Sequence, residues 1–105
     1  MTTTIQVNDG NVIICFDGHL DTATSAEANA KISRGLDKMD TIVTLTCDAS
    51  RLEYISSSGL RVLMMAIKEM GRRHGAIRIT NVSENVYDIL ESTGFTGASD
   101  VEPKP

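Results

Sequence analysis

Tryptophan is missing from this 105-residue chain, and only two tyrosines and two phenylalanines supply aromatic surface. The ten Lys and Arg residues are outnumbered by fourteen Asp and Glu, for a net charge of −4. Their one local cluster is Arg72-Arg73-His74. A basic stripe interleaved with stacking aromatics is therefore absent, and neither nucleic-acid binding nor attraction to an anionic membrane surface is expected. No run approaches the roughly 18 apolar residues that cross a bilayer, so no direct membrane insertion is expected. Met1-Thr-Thr-Thr-Ile5 has neither a basic segment nor a long apolar core, so it does not read as a signal peptide, and the expected localisation is cytoplasmic. Cys15 and Cys47 fall in predicted strands at no metal-binding spacing. They read as small buried hydrophobes, with no disulfide expected in a reducing compartment.

The parts needed for catalysis are also scarce. His19 and His74 are the only imidazoles, and neither is placed to serve as the base of a triad. Ser57 lacks the Gly-x-Ser-x-Gly setting of a hydrolase elbow, because Ile55 stands where the first Gly would be. There is no P-loop and no zinc spacing. No enzyme, metal or cofactor is expected.

What is present is an orderly alternation of elements. Ile5–Val7 and Val12–Phe16 are short apolar runs around Asn8-Asp9-Gly10-Asn11, which predicts a β-hairpin. Gly18-His19-Leu20-Asp21 reads as a loop. Thr24-Ser-Ala-Glu27 fits a capping box opening a helix that runs to about Gly35, with Ala28, Ile32 and Leu36 on one face. Thr41–Cys47 predicts a central strand covered on both faces. In the next helix Leu60, Leu63, Met64, Ile67 and Met70 or Gly71 predict the buried stripe, with Arg61, Met65, Lys68 and Arg72 opposite and Gly75 as the stop. Ala76–Thr80 reads as a strand. Ser83 caps a third helix that turns Val86, Ile89 and Leu90 inward and ends at Gly94. Residues 96–105, closing on Pro-Lys-Pro, read as a short flexible tail. The order ββαβαβα describes a single α/β sheet flanked by helices.

Between the third strand and the second helix lies Asp48-Ala-Ser-Arg-Leu-Glu-Tyr-Ile-Ser-Ser-Ser-Gly-Leu60. Three hydroxyls thus stand at a helix N-terminus, where unpaired backbone N–H groups and the positive end of the dipole suit an anion such as phosphate. The same N–H groups also explain serine as an ordinary cap. Spacing alone leaves both roles open. Asp21 and Asp48 each follow a strand-like run. If those strands are parallel neighbours, both acids crowd one sheet edge near the serines, although turn or capping roles account for them equally well. Met64 reads as core and Met65 as an exposed contact.

The segment Asp48–Leu63 closely resembles the central motif of the STAS domain of bacterial anti-sigma-factor antagonists. Gly18-His19-Leu20-Asp21 is similar to a second motif of that family, and Val86-Tyr-Asp-Ile-Leu-Glu-Ser-Thr-Gly94 to a third. The resemblance implies a STAS-like mixed β-sheet of about four strands flanked by about three helices, with residues 4–95 as the domain. It further implies a protein that binds an anti-sigma factor, itself a serine kinase, and thereby releases a sigma factor. Phosphorylation of Ser57 would end that complex, and a metal-dependent serine phosphatase would restore it. Many members carry Asp where this chain has Ser56, which leaves Ser56 and Ser58 as alternative acceptors. The implied partner-binding residues are Asp21, Asp48, Ser56, Ser58, Gly59, Arg61 and Met65. Members often carry a further strand and helix, which the Pro-Lys-Pro ending is not expected to supply. A STAS scaffold without this switch, in a lipid-transport or stress-sensing assembly, is the alternative.

Overall fold

Asp9 and Gly10 make the first turn of the chain. In the computed structural model, which describes residues 2–37 and 44–104, both take positive φ, 43° and 85°. That is the geometry whose twist matches two flanking antiparallel strands. It joins β1 (Thr2–Asn8) to β2 (Asn11–Leu20) with Asn8 opposite Asn11. There follow α1 (Ser25–Asp37), β3 (Thr44–Ile55), α2 (Ser57–Arg72), β4 (Ala76–Val82), α3 (Glu84–Ser92), α4 (Phe95–Ala98) and β5 (Asp100–Pro103). The five strands lie in chain order, β1-β2-β3-β4-β5. The first pair is antiparallel and the others are parallel, so the sheet is mixed as expected.

Parallel connections take a right-handed sense. Because each one here steps the same way across the sheet, all the helices fall on one face. Burial follows that rule. Val12, Ile14 and Phe16 of β2, Leu45, Cys47 and Ala49 of β3, and Ile77 and Ile79 of β4 are buried. Their register joins them in rows, Val12–Leu45–Ile77 and Ile14–Cys47–Ile79. The intervening Ile13, Cys15, Thr46, Asp48 and Thr80 are only half-buried, and Arg78 is exposed. The expectation that β3 is covered on both faces is therefore corrected. Strand order, which the run of apolar residues does not reveal, leaves one face open. The first three residues of the predicted strand Thr41–Cys47 lie outside the described residues.

Both central strands also run further than expected. Gly18-His19-Leu20 is strand rather than loop, and β3 continues past Asp48 to Ile55. Register slips between Cys15 and Asp17 and again between Gly18 and His19, each time giving β3 one extra residue. The inward residues of β3 are thus Leu45, Cys47, Ala49, Leu52 and Ile55. Two bulges stretch their spacing from two residues to three, which erases the alternation that marks a strand in a sequence.

The helices show smaller shifts. Thr24 does not form a capping box: its hydroxyl donates to the His19 carbonyl at 2.9 Å and accepts from the Asp21 N–H at 3.0 Å. In α2 the buried residues are Gly59, Val62, Leu63, Ala66 and Met70, while Met64 is 36 % exposed and Gly71 is exposed. Leu63 and Met70 are buried as expected, but Gly59, Val62 and Ala66 share that face in place of Met64, because α2 packs close to the sheet. Ser83 caps α3 by accepting from the Val86 N–H at 3.3 Å, and Val86 and Leu90 are buried beneath it. Most of residues 96–105, read as a short flexible tail, is ordered: α4 spans Phe95–Ala98 and β5 Asp100–Pro103. Phe95 is buried, Val101 pairs with Ile79, and Arg78 binds Glu102 at 2.6 Å.

One-sided burial predicts unequal costs for neighbouring substitutions. Leu45→Ala should lose about 2–5 kcal/mol in urea unfolding, whereas Thr46→Ala, on the open face, should lose about 1 kcal/mol or less. Comparable losses at the two positions would mean that the open face is covered.

Candidate functional site

The start of α2 is held against the end of β2 by a close backbone approach. The Ser56 N–H donates to the Leu20 carbonyl at 2.9 Å. A Cβ built on Gly59 would lie 2.5 Å from that same carbonyl oxygen and 2.8 Å from side-chain atoms of Leu20 and Ile55. Only a residue without a side chain lets the helix come so near. Gly59 is buried, so its place in the motif is explained by packing rather than by a direct partner contact.

The three serines do different work. Ser56 has extended backbone (φ −94°, ψ 177°) and is the N-cap, its Oγ accepting from the Gly59 N–H at 3.3 Å. Ser58 is half-buried, with its Oγ 3.2 Å from the Thr22 hydroxyl in the turn before α1. Ser57, the first residue of α2, is exposed, and its hydroxyl has no hydrogen-bond partner among the described residues. The capping role and the accessible hydroxyl, which spacing leaves open, thus fall on different residues.

Asp21 is close to this group through its neighbours. Its Oδ1 accepts from the Ala23 N–H at 3.0 Å and the Thr24 N–H at 3.3 Å, and its carbonyl accepts from Ser25. These bonds fold the turn that sets Thr22 beside Ser58. Asp48 is elsewhere. It lies eight residues before Ser56, two of them taken up by the bulges of β3, so roughly 20 Å away at strand rise, and on the open face of the sheet. The two acids therefore do not crowd one edge. Asp48 accepts from the Ser50 N–H at 2.9 Å and from Asn81 at 3.4 Å, and the Cys15 thiol donates to it at 3.7 Å. Partial burial opposes its charge, but hydrogen bonds from Ser50, Asn81 and Cys15 prevail and hold its carboxyl below its ordinary value. Partial burial, reinforced by the neighbouring Asp48 carboxylate, pushes the Cys15 thiol up. Burial alone pushes Cys47 to about 12. Neither cysteine is a nucleophile at neutral pH.

Beyond the serines the outer side of α2 is apolar and basic. Arg61 is exposed, Met65 is 50 % exposed, and Met64 lies beside it. A groove of about 290 Å³ runs between the two helices, with Thr22, Ser25 and Asn29 facing Ser58, Arg61 and Met65. Further along, Arg72 and Arg73 hydrogen-bond Glu69 and keep its carboxyl below its usual value. Tyr54, 45 % exposed at the end of β3, meets the His19 ring edge-on at 6.0 Å between centroids, and His19 in turn bonds Glu53 at 3.2 Å. Thr22 and Tyr54 are additions to the residues read from sequence. Thr22 carries no signal, since its position depends on the turn that Asp21 folds. Tyr54, an aromatic outside the inward rows of β3, becomes recognisable only once the bulges are known. Among the described residues no group of three or more His, Cys, Asp or Glu could hold a metal, and no helix is long and apolar enough to cross a membrane.

Two measurements test this geometry. Gly59→Ala should destabilise the fold by about 1–3 kcal/mol or more, because the new methyl meets a backbone carbonyl that cannot swing away. Ser56→Ala should lose about 1 kcal/mol through the cap. A Gly59→Ala protein as stable as wild type would contradict the close approach. Asp48 has a folded pKa below its unfolded value, so its contribution is present above about pH 4 and is lost as pH falls through the folded pKa. The stability gap between wild type and Asp48→Asn should therefore narrow as urea titrations move from pH 7 to pH 3.

Comparison with known proteins agrees with this geometry. The family model described as the STAS domain matches residues 2–104. BtrV of Bordetella bronchiseptica, assigned as an anti-sigma factor antagonist, is 32% identical over 95 residues, covering 90% of this chain and 80% of the relative. An anti-sigma factor antagonist from Mycobacterium paratuberculosis superposes with a TM-score of 0.85 at 21% identity, covering 98% of this chain and 86% of that one. The Bacillus cell fate determinant SpoIIAA, in its phosphorylated form, gives 0.74 at 21% identity over 95% and 90% of the two chains. The fold alone does not separate functions. The murine anion transporter Slc26a9 gives 0.78 at 21% identity, with 95% of this chain covering 17% of that one. The family match over nearly the whole length, together with the relative above 30% identity, places this chain in the STAS domain family, among its anti-sigma factor antagonists.

Proposed function

We propose that this domain is a binding module switched by phosphorylation of Ser57. In its unmodified form it binds an anti-sigma factor that is also a serine kinase, and so frees a sigma factor. The observation that carries this reading is the division of labour among the three serines. Ser56 is engaged as the cap and Ser58 by Thr22, which leaves the exposed, unbonded hydroxyl of Ser57 at the first turn of α2. A phosphate there adds about −1.5 to −2 charges, which a helix N-terminus tolerates but a closed interface repels. Losing about 3 to 4 kcal/mol at an interface lowers affinity by roughly two to three decades.

The docking face on this reading is the outer side of α2 with the turn before α1. Met64 and Met65 supply apolar area, Arg61 supplies charge, and Asp21 folds the turn that carries Thr22. Asp48 supports this face only indirectly, through the sheet. A metal-dependent serine phosphatase in the same cytoplasmic compartment would return the domain to its binding form. The domain itself catalyses nothing on this reading.

The test is intact-protein mass after incubation with ATP and the cognate anti-sigma factor kinase. Wild type should gain one phosphate and Ser57→Ala none, while Ser57→Asp should bind the kinase at least tenfold more weakly. Phosphate on Ser57→Ala would move the acceptor to Ser56 or Ser58. With an active kinase, no phosphate on either protein would favour the unswitched scaffold.

A further inference from the structure

Ser57 and Arg61 are four residues apart on one helix, so their side chains are neighbours on the same face, with Cβ atoms about 5–6 Å apart. Arg61 also lines the groove beside Ser58, three residues before it. It is exposed and makes no ion pair or hydrogen bond among the described residues. The wall across that groove, Thr22 of the preceding turn with Ser25, Ala26 and Asn29 of α1, offers no carboxylate to compete for it. The cations at the far end of α2 are already occupied. Arg72 and Arg73 share Glu69, and Arg73 also reaches Asp37 at 3.7 Å.

We propose that Arg61 is the clasp of the switch: once Ser57 carries phosphate, the Arg61 guanidinium turns back one helical turn and binds it. The reading rests on Ser57 as the acceptor. An anion four residues before a cation is the favoured order for a helical pair. Guanidinium also matches phosphate with two parallel N–H···O bonds, which ammonium does not. Modification then does two things at once. It adds negative charge to the docking face and removes from that face its cation nearest the groove. The bound state of a partner loses an attraction as well as meeting a repulsion.

The experiment uses the full chain with phosphoserine installed at position 57 during translation, so that no kinase is needed. The ³¹P resonance is followed through the second ionisation of the phosphate, whose unperturbed midpoint is near pH 6. With Arg61 intact the midpoint should lie about 0.3 of a pH unit or more below that of Arg61→Ala. Arg61→Lys should recover only part of the shift. The Arg61 Nε–H signal should sharpen when the phosphate is present. Lys68→Ala, which removes a charge further along the same helix, should leave the midpoint in place. A midpoint unmoved by Arg61→Ala would overturn the clasp, as would an equal shift from Lys68→Ala, because the effect would then belong to the general field of the domain. Kinase incubation fails or succeeds independently of this titration, so loss of the switch and loss of the clasp are separate results.

Discussion

The carbonyl oxygen of Leu20 is the point on which the arrangement of the site depends. It accepts the Ser56 N–H, and it lies where a side chain on Gly59 would be. One hydrogen bond and one missing methyl thereby fix the start of α2 to the end of β2. The serines, the Asp21 turn and the α1–α2 groove take their positions from this junction. Gly59 needs no contact with a partner to matter, since any side chain there would push the start of α2 away from the end of β2 and Ser58 away from Thr22. The exposure of Ser57 follows as well: with Ser56 turned to the cap and Ser58 to the facing turn, the residue between them points outward.

A second constraint is the uneven covering of the sheet. All the apolar rows lie on the helix side, and the opposite side carries threonines, Arg78, Cys15 and the Asp48 cluster. Asp48 is satisfied there by Ser50, Asn81 and Cys15, and its lowered pKa reflects those bonds. An aspartate that belongs to the family motif in sequence thus performs a structural duty on the far face of the sheet. Motif membership and spatial membership of the site are separate properties.

The hairpin, the order of elements through α3 and the Ser83 cap were legible because each rests on local chemistry: Asp9-Gly10 at positive φ, Ser83 before a helix, Val86 and Leu90 at helical spacing. The lengths of β2 and β3 were not, since two bulges shift the inward residues from Ala49 to Leu52 and then Ile55. The open face was hidden too, because a run such as Thr44–Cys47 looks alike whether one or two layers cover it. The stripe of α2 was misplaced by favouring Met64 over Ala66, where closeness to the sheet calls for the smaller residue. Of the site, spacing brought out the three serines before α2 and placed Arg61 on the outer face of that helix, while Ser57 was singled out among the serines only by the resemblance to the family. Thr22 could not be found, since its place depends on a turn folded by Asp21.

Strand order equal to chain order has a consequence for how the molecule is made. Each strand after the hairpin lies beside the one that precedes it in the chain, so no strand has to be inserted between two that are already paired. The growing sheet exposes one fresh edge at a time, and the next segment to leave the ribosome covers it. β5, with Glu102 held by Arg78, covers the β4 edge last. The strand order thus allows the sheet to be laid down from the N-terminus onward, and the serine junction between β2 and α2 needs no strand beyond β3.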